Sequence, residues 1–171
     1  MTTDDTWTLR RFRLAGQAHL HGARALLASA PGASKGGERP PALLPSSATY
    51  LAQVALECAI KARILWRYGF DSAAKLKSAQ PTVHERLFKS KHGHNITELA
   101  AELRLKEVVA AEGKALADDA CWRRLCSSER PYTLRYGAAD LDEADAREDI
   151  DRVASVTEAL FAGLGRFRRP A

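Results

Sequence analysis

Metal-free cleavage of RNA needs a proton shuttle that titrates near pH 7 and a fixed cation for the charge that develops on the phosphate, which are roles of His and Arg. The chain offers two such pairs at short spacing: Arg86 and His92, separated by LFKSK, and Arg13 and His19, separated by LAGQA. With 5 His and 26 Lys and Arg among 171 residues, matches of this kind also arise by chance. Of the two, Arg86 with His92 is the candidate catalytic pair. His94 is expected to act differently, as a residue at a helix start that hydrogen-bonds to backbone.

Other constellations point to structure. Gln53, Glu57 and Lys61 form a narrow polar line on an otherwise apolar helix. The Glu-to-Lys order one turn apart is worth only about 0.3 kcal/mol in an isolated helix. This line therefore reads as surface or subunit seam. Cys121, Cys126, His92 and His94 are zinc-ligand types, but the step from Cys121 to Cys126 turns two helical side chains to opposing faces, so no metal is expected. Cys58 falls on an apolar stripe and behaves as a small core residue. There is no Gly-framed Ser and no evident activated Cys. PGASKGGERPPALLP has Gly and Lys without phosphate-loop spacing, and no cofactor is expected.

The elements that must position these residues are helices. Ala, Leu, Arg and Glu are abundant and aromatics make up 7%, a bias toward side chains that lose little rotamer freedom in a helix. A first helix, capped by Thr6 or a neighbouring Asp, carries Trp7, Phe12, Ala15, Ala23, Leu26 and Leu27 and ends before Pro31. Pro31 to Pro45 reads as a loop. In the second helix Leu51, Ala55, Cys58, Ala62 and Leu65 form one apolar stripe, and Ala52, Leu56, Ile60 and Ile64 form another, so it must be covered on two sides. Phe70 to His94 reads as a long connection with one helical turn around His84 to Lys89. Asn95 caps a third helix, with Glu98 placed for a capping box ahead of Leu99, Leu103 and Val108. Gly113 divides it from a shorter piece, ALADDACWRRLC. A final helix runs from about Asp142 to Phe167, with Ile150, Val153, Ala154, Leu160, Phe161 and Leu164 as its buried stripe.

The length suits one domain spanning 1–171, with no internal repeat and no separating linker. The odd set of 3 Cys and the lack of an apolar segment after Met1 point to a reducing cytoplasm. Gln53, Glu57, Lys61 and Arg63 interrupt the most apolar stretch, so no membrane span is expected. The net charge of +5 permits phosphate-rich partners without requiring them. Its distribution says more. In an up-down-up-down bundle, Arg10, Arg11, Arg13, Arg63, Arg67, Lys75, Lys77, Arg86, Lys89, Lys91, Arg166, Arg168 and Arg169 share one pole. Trp66, Tyr68 and Phe70 are interleaved there and could stack on bases.

The stretches YLAQVALECAIKA, HNITELA and YTLRY, with WTLRRFRLAGQAHLHGARALL at the start, make the chain resemble the HEPN family, small α-helical domains found beside nucleotidyltransferases and in RNA-cleaving toxins. Gln53, Glu57, Lys61 and Ala62 stand where the family's second helix carries a Gln, an acidic residue and a Lys-Ala pair. His94 corresponds to the His that begins the third helix, and Arg135 and Tyr136 to an Arg-Tyr pair before the last helix. Many HEPN ribonucleases place an Arg and, a few residues on, a His around the start of the last long helix. Here YGAADLDEADAR follows Arg135 and no His occurs beyond His94, so that chemistry does not carry over.

The resemblance implies an all-α antiparallel four-helix up-down bundle with a short additional helix, assembled as a homodimer. The favoured function is a noncatalytic binding or regulatory module that recognises a nucleotide, RNA or a nucleotidyltransferase partner, with Arg67, Lys89 and Lys91 of the basic pole as nucleotide or RNA contacts and Arg135 and Tyr136 added by the resemblance. The alternative is a metal-independent ribonuclease of a toxin–antitoxin or phage-defence system, using Arg86 and His92 and restrained by an antitoxin.

Overall fold

The computed structural model describes residues 7–29, 43–89, 94–117, 119–126, 141–162 and 164, and among them the regular structure is helical. The only strand-like pairing among the described residues is a single bridge between Thr8 and Ser72. Helix α1 (Leu9–Ser29) begins where Thr8 Oγ1 accepts the Arg11 N–H at 3.2 Å; Thr6 and the neighbouring Asp residues, expected to cap it, lie outside the described residues. Its buried face is Phe12, Gly16, Leu20, Ala23 and Leu27, in steps of three and four.

Helix α2 (Leu43–Arg67) begins earlier than expected, taking in the end of the predicted loop. Pro45 is tolerated there because the first turn has no intrahelical acceptor for its missing N–H. Both apolar stripes of α2 are buried, apart from Leu51, which is partly buried. Helix α1 packs along it antiparallel: Gly16 lies against Ala55 and Cys58, Gly22 against Leu51, and Thr8 beside Ser72 just beyond the end of α2. A Cβ on Gly16 would sit 3.2 Å from the Ala55 carbonyl oxygen and 3.2 Å from the Phe161 ring, so a bare backbone here lets three helices meet. Helix α2 stops in a Schellman turn, with Gly69 at φ 76°, its N–H on the Trp66 carbonyl at 3.0 Å and the Phe70 N–H on the Leu65 carbonyl at 2.9 Å.

The segment expected to be a long connection is largely helical: α3 (Ala73–Ala79), α4 (Pro81–His84) and a π-helical turn (Glu85–Lys89). Ser72 caps α3 and Pro81 opens α4, short-range signals that the scarcity of apolar residues had masked. Asn95 caps α5 (Ile96–Leu103) as expected, its Oδ1 accepting from Thr97 N at 3.0 Å and Glu98 N at 3.4 Å. The predicted third helix is then broken by Arg104, left-handed at φ 53°, before α6 (Leu105–Ala111). Gly113 follows α6 at φ 74°. Helix α7 (Ala120–Cys126) is capped by Asp119, and α8 (Glu143–Ala162) by Asp142.

Helix α8 has Glu143 and Asp145 in its first turn, where the helix dipole favours carboxylates. It ends before the predicted Phe167, which lies outside the described residues. Its predicted stripe is buried, Leu164 included. Helix α8 packs on α2 and on α1, and α5 closes a further side of α2. The buried apolar residues of all these helices form one contiguous cluster with α2 at its centre. No helix among the described residues is long and apolar enough to cross a membrane.

Candidate functional site

Enclosing α2 on several sides carries its polar line inward, which corrects the expectation of a surface. Gln53 is 3% exposed and its side-chain amide donates to the Leu125 carbonyl at the end of α7, at 3.2 Å. Lys61 Nζ lies 2.7 Å from Glu57 Oε1, with side-chain exposures of 5% and 17%. Apolar neighbours can bury the stem of a lysine, but its ammonium then needs a counter-charge, and Glu57 one turn earlier supplies it.

His94 completes the cluster from a distant part of the chain. The Asn95 cap fixes the backbone there, and His94 Nδ1 lies 3.1 Å from both oxygens of Glu57. This too corrects the expectation, since the partner is a carboxylate and not backbone. The imidazole is 73% exposed. Its hydrogen bond and charge interaction with Glu57 raise its pKa above the ordinary 6.5. Burial pushes the Glu57 carboxyl upward, but the hydrogen bond with His94 and the charge of Lys61 outweigh it and leave its pKa below the ordinary 4.5.

Glu57, Lys61 and His94 line a cavity of about 570 Å³. One wall is aromatic. Trp7 stacks on Phe12 with ring centroids 5.0 Å apart, Phe12 meets Phe88 at 5.9 Å, and His84 lies nearly parallel to Phe88 at 5.4 Å. Lys61 Nζ sits 5.6 Å from the Phe88 centroid, within cation–π range. His19 from α1 and Tyr50 and Cys58 from α2 also line it. Burial and the Glu57 charge push the Cys58 thiol up to about 11, so at neutral pH it is not a thiolate nucleophile. The arrangement can hold a compact ligand against a flat apolar wall and offer its polar end an ammonium and an imidazole.

The residues singled out from sequence fall mostly elsewhere. The start of α1 does meet the segment after α2, through Leu9 N–H to Asp71 O at 2.8 Å and Ala73 N–H to Trp7 O at 2.9 Å. Several cations of that pole are tied within the fold. Arg86 Nη2 bonds Glu102 Oε2 at 2.5 Å, Arg67 Nη1 donates to the Glu102 carbonyl at 2.8 Å, and Lys75 pairs with Asp71 at 2.6 Å. The Tyr68 hydroxyl donates to Glu102 Oε1 at 2.5 Å, which raises its pKa. Of the other interleaved aromatics, Trp66 lies under the Arg63 guanidinium at 4.1 Å and Phe70 packs on the core. Lys89 ends the π-helical turn. Lys91, His92, Arg135, Tyr136, Arg166, Arg168 and Arg169 lie outside the described residues.

One further group has metal-ligand types. Cys121, Glu148 and Asp149 bring ligand atoms within 4.8 Å of one another. Arg124 already bonds Glu148 at 2.7 Å and Asp149 at 2.9 Å, and burial with the nearby Asp149 pushes the Cys121 thiol up to about 12. The group reads as a clamp between α7 and α8.

The Glu57–Lys61–His94 cluster and its cavity are what sequence reading missed. Its three members stood out individually, but nothing in a linear pattern says that α5 begins over the middle of α2. In comparisons with protein-family models, curated proteins and solved structures, none matches this chain.

Proposed function

We propose that the chain is a HEPN-like module, built as an antiparallel four-helix up-down bundle with short additional helices and paired as a homodimer, that binds or regulates without cleaving RNA. Its ligand is RNA or a nucleotide, or its partner is a nucleotidyltransferase. One observation carries the reading: Glu57, Lys61 and His94, which bear the resemblance in the second and third helices, converge on one cluster although Glu57 and His94 are 37 residues apart. Glu57 and Lys61 lie one helical turn apart and meet in any helix, so it is the approach of His94 that supports the reading. Against a ribonuclease, Arg86 would have to leave its 2.5 Å ion pair with Glu102 to serve a phosphate.

The test is a labelled RNA pool mixed with purified protein in the absence of metal. Retention at low salt that weakens as salt rises, with the RNA intact, is the expected outcome. Metal-free cleavage that disappears in His92→Ala would establish the ribonuclease instead. If neither RNA nor nucleotide is retained at low salt and no nucleotidyltransferase associates, the binding reading fails.

A further inference from the structure

Lys61 is a buried cation on α2 with more hydrogen-bonding capacity than the described residues use. An ammonium has three N–H donors. The bond to Glu57 Oε1 matches one, and the Phe88 ring face supplies attraction without an acceptor atom. At 5% side-chain exposure, solvent reaches it poorly. His94 is the complement. Its Nδ1 is engaged by Glu57, which leaves Nε2 without a protein partner among the described residues. Both groups border the same cavity, and the aromatic rings of Trp7, Phe12 and Phe88 line it too.

Charge decides the class of ligand. The Glu57 carboxylate is shared by two cationic side chains, so with His94 protonated the cluster carries a surplus positive charge, which favours an anionic over a cationic ligand. A cavity of about 570 Å³ falls within the range of small-molecule sites. We propose that this cavity binds a small organic oxyanion with a flat apolar body, its carboxylate or phosphate oxygens received by Lys61 Nζ and His94 Nε2 and its body laid against the aromatic wall. Neither Arg67 nor Arg86 lines the cavity, so its occupancy is read separately from RNA retention, although both readings draw on the Glu57–Lys61–His94 cluster.

Isothermal titration with benzoate, phenyl phosphate and the neutral benzyl alcohol tests it. Saturable one-to-one binding of benzoate or phenyl phosphate is expected, with benzyl alcohol bound at least tenfold more weakly. Preference between the two anions then tells a carboxylate site from a phosphate site. Lys61→Met, which keeps the stem and removes the charge, and His94→Gln should each weaken the bound anion at least tenfold with the helical circular dichroism spectrum unchanged. Should Lys61→Met fail to fold, His94→Gln at its exposed position decides. Absence of saturable binding by both anions at millimolar concentration, equal binding of benzyl alcohol, or an unchanged affinity in the folded variants overturns the proposal.

Discussion

Glu57 is shared between a buried lysine and an exposed histidine, and the histidine responds to pH oppositely from the carboxylate it meets. The His94 pKa is raised above 6.5, so its contribution to stability is complete below 6.5 and is lost as pH rises through the folded value. The Glu57 pKa is lowered below 4.5, so its contribution is complete above 4.5 and is lost as pH falls through the folded value. Together they stabilise the fold most fully between 4.5 and 6.5. An NMR titration of the His94 ring should give a midpoint above 6.5 that falls back toward it in Glu57→Gln. A midpoint unaffected by that substitution would mean that the two side chains do not meet in solution. The thiols give a second residue-level test. With Cys58 held near 11 and Cys121 near 12, neither should be alkylated by iodoacetamide at pH 7 in the native state, and both should react after denaturation.

Among the elements, the start of α5 has two tasks, since the Asn95 cap that satisfies its first N–H groups also fixes the backbone bearing His94. Asn95→Ala should lower stability by about 1 kcal/mol in chemical denaturation. It should also move the His94 titration downward, an effect that loss of a cap without loss of the cluster would not produce. The contact of α1 with α2 provides a contrast between two glycines. At Gly16 the space is closed by the Ala55 carbonyl and the Phe161 ring, both 3.2 Å from an added Cβ, and Gly16→Val should cost about 1–3 kcal/mol through overpacking. At Gly22 the nearest group is the mobile end of Leu51 at 3.4 Å. Gly22→Ala should therefore be neutral or stabilise by up to about 1 kcal/mol, because alanine loses less entropy in a helix. Equal effects at both sites would show that α1 does not lie in this register on α2.

For the molecule as a whole, the question is which cations remain for an anionic polymer once the fold has taken its share. Glu102 alone engages Arg67, Arg86 and Tyr68, whereas Arg10 and Arg11 on α1 are exposed. If the chain binds RNA, reversing Arg10 and Arg11 to Glu should lower affinity and flatten its salt dependence by about one logarithmic unit per lost phosphate contact, with thermal stability little changed. Arg86→Glu should instead destabilise the fold by removing the Glu102 ion pair. The covering of α2 also bears on assembly. Its two apolar stripes are filled by helices of the same chain, and the large apolar side chains left exposed among the described residues are Trp7 at 44% and Leu14 at 53%. A dimer seam, if the chain pairs as proposed, is better sought on α1 than on α2.

What the sequence determined by itself was the helical character, the two buried faces of α2, the Asn95 cap, the stop at Gly113 and the buried stripe of α8. Each is encoded within one or two helical turns, where apolar spacing and cap chemistry act without help from distant residues. It did not determine the short helices α3 and α4, whose sparse apolar residues resemble a loop until the core receives Leu76 and His84, and it placed the helical turn around His84 to Lys89 without its π-helical character. Nor did it determine the break at Arg104, because a left-handed non-glycine residue carries no local sequence signal, whereas the structure buries Leu103 and Leu105 on either side of it. Gln53 and Lys61 looked like a solvated edge because helical spacing tells which residues share a face but not what covers that face. Only the tertiary structure, by laying α1, α5 and α8 around α2 and bringing His94 onto Glu57, turned that edge into a buried charged cluster beside an aromatic cavity.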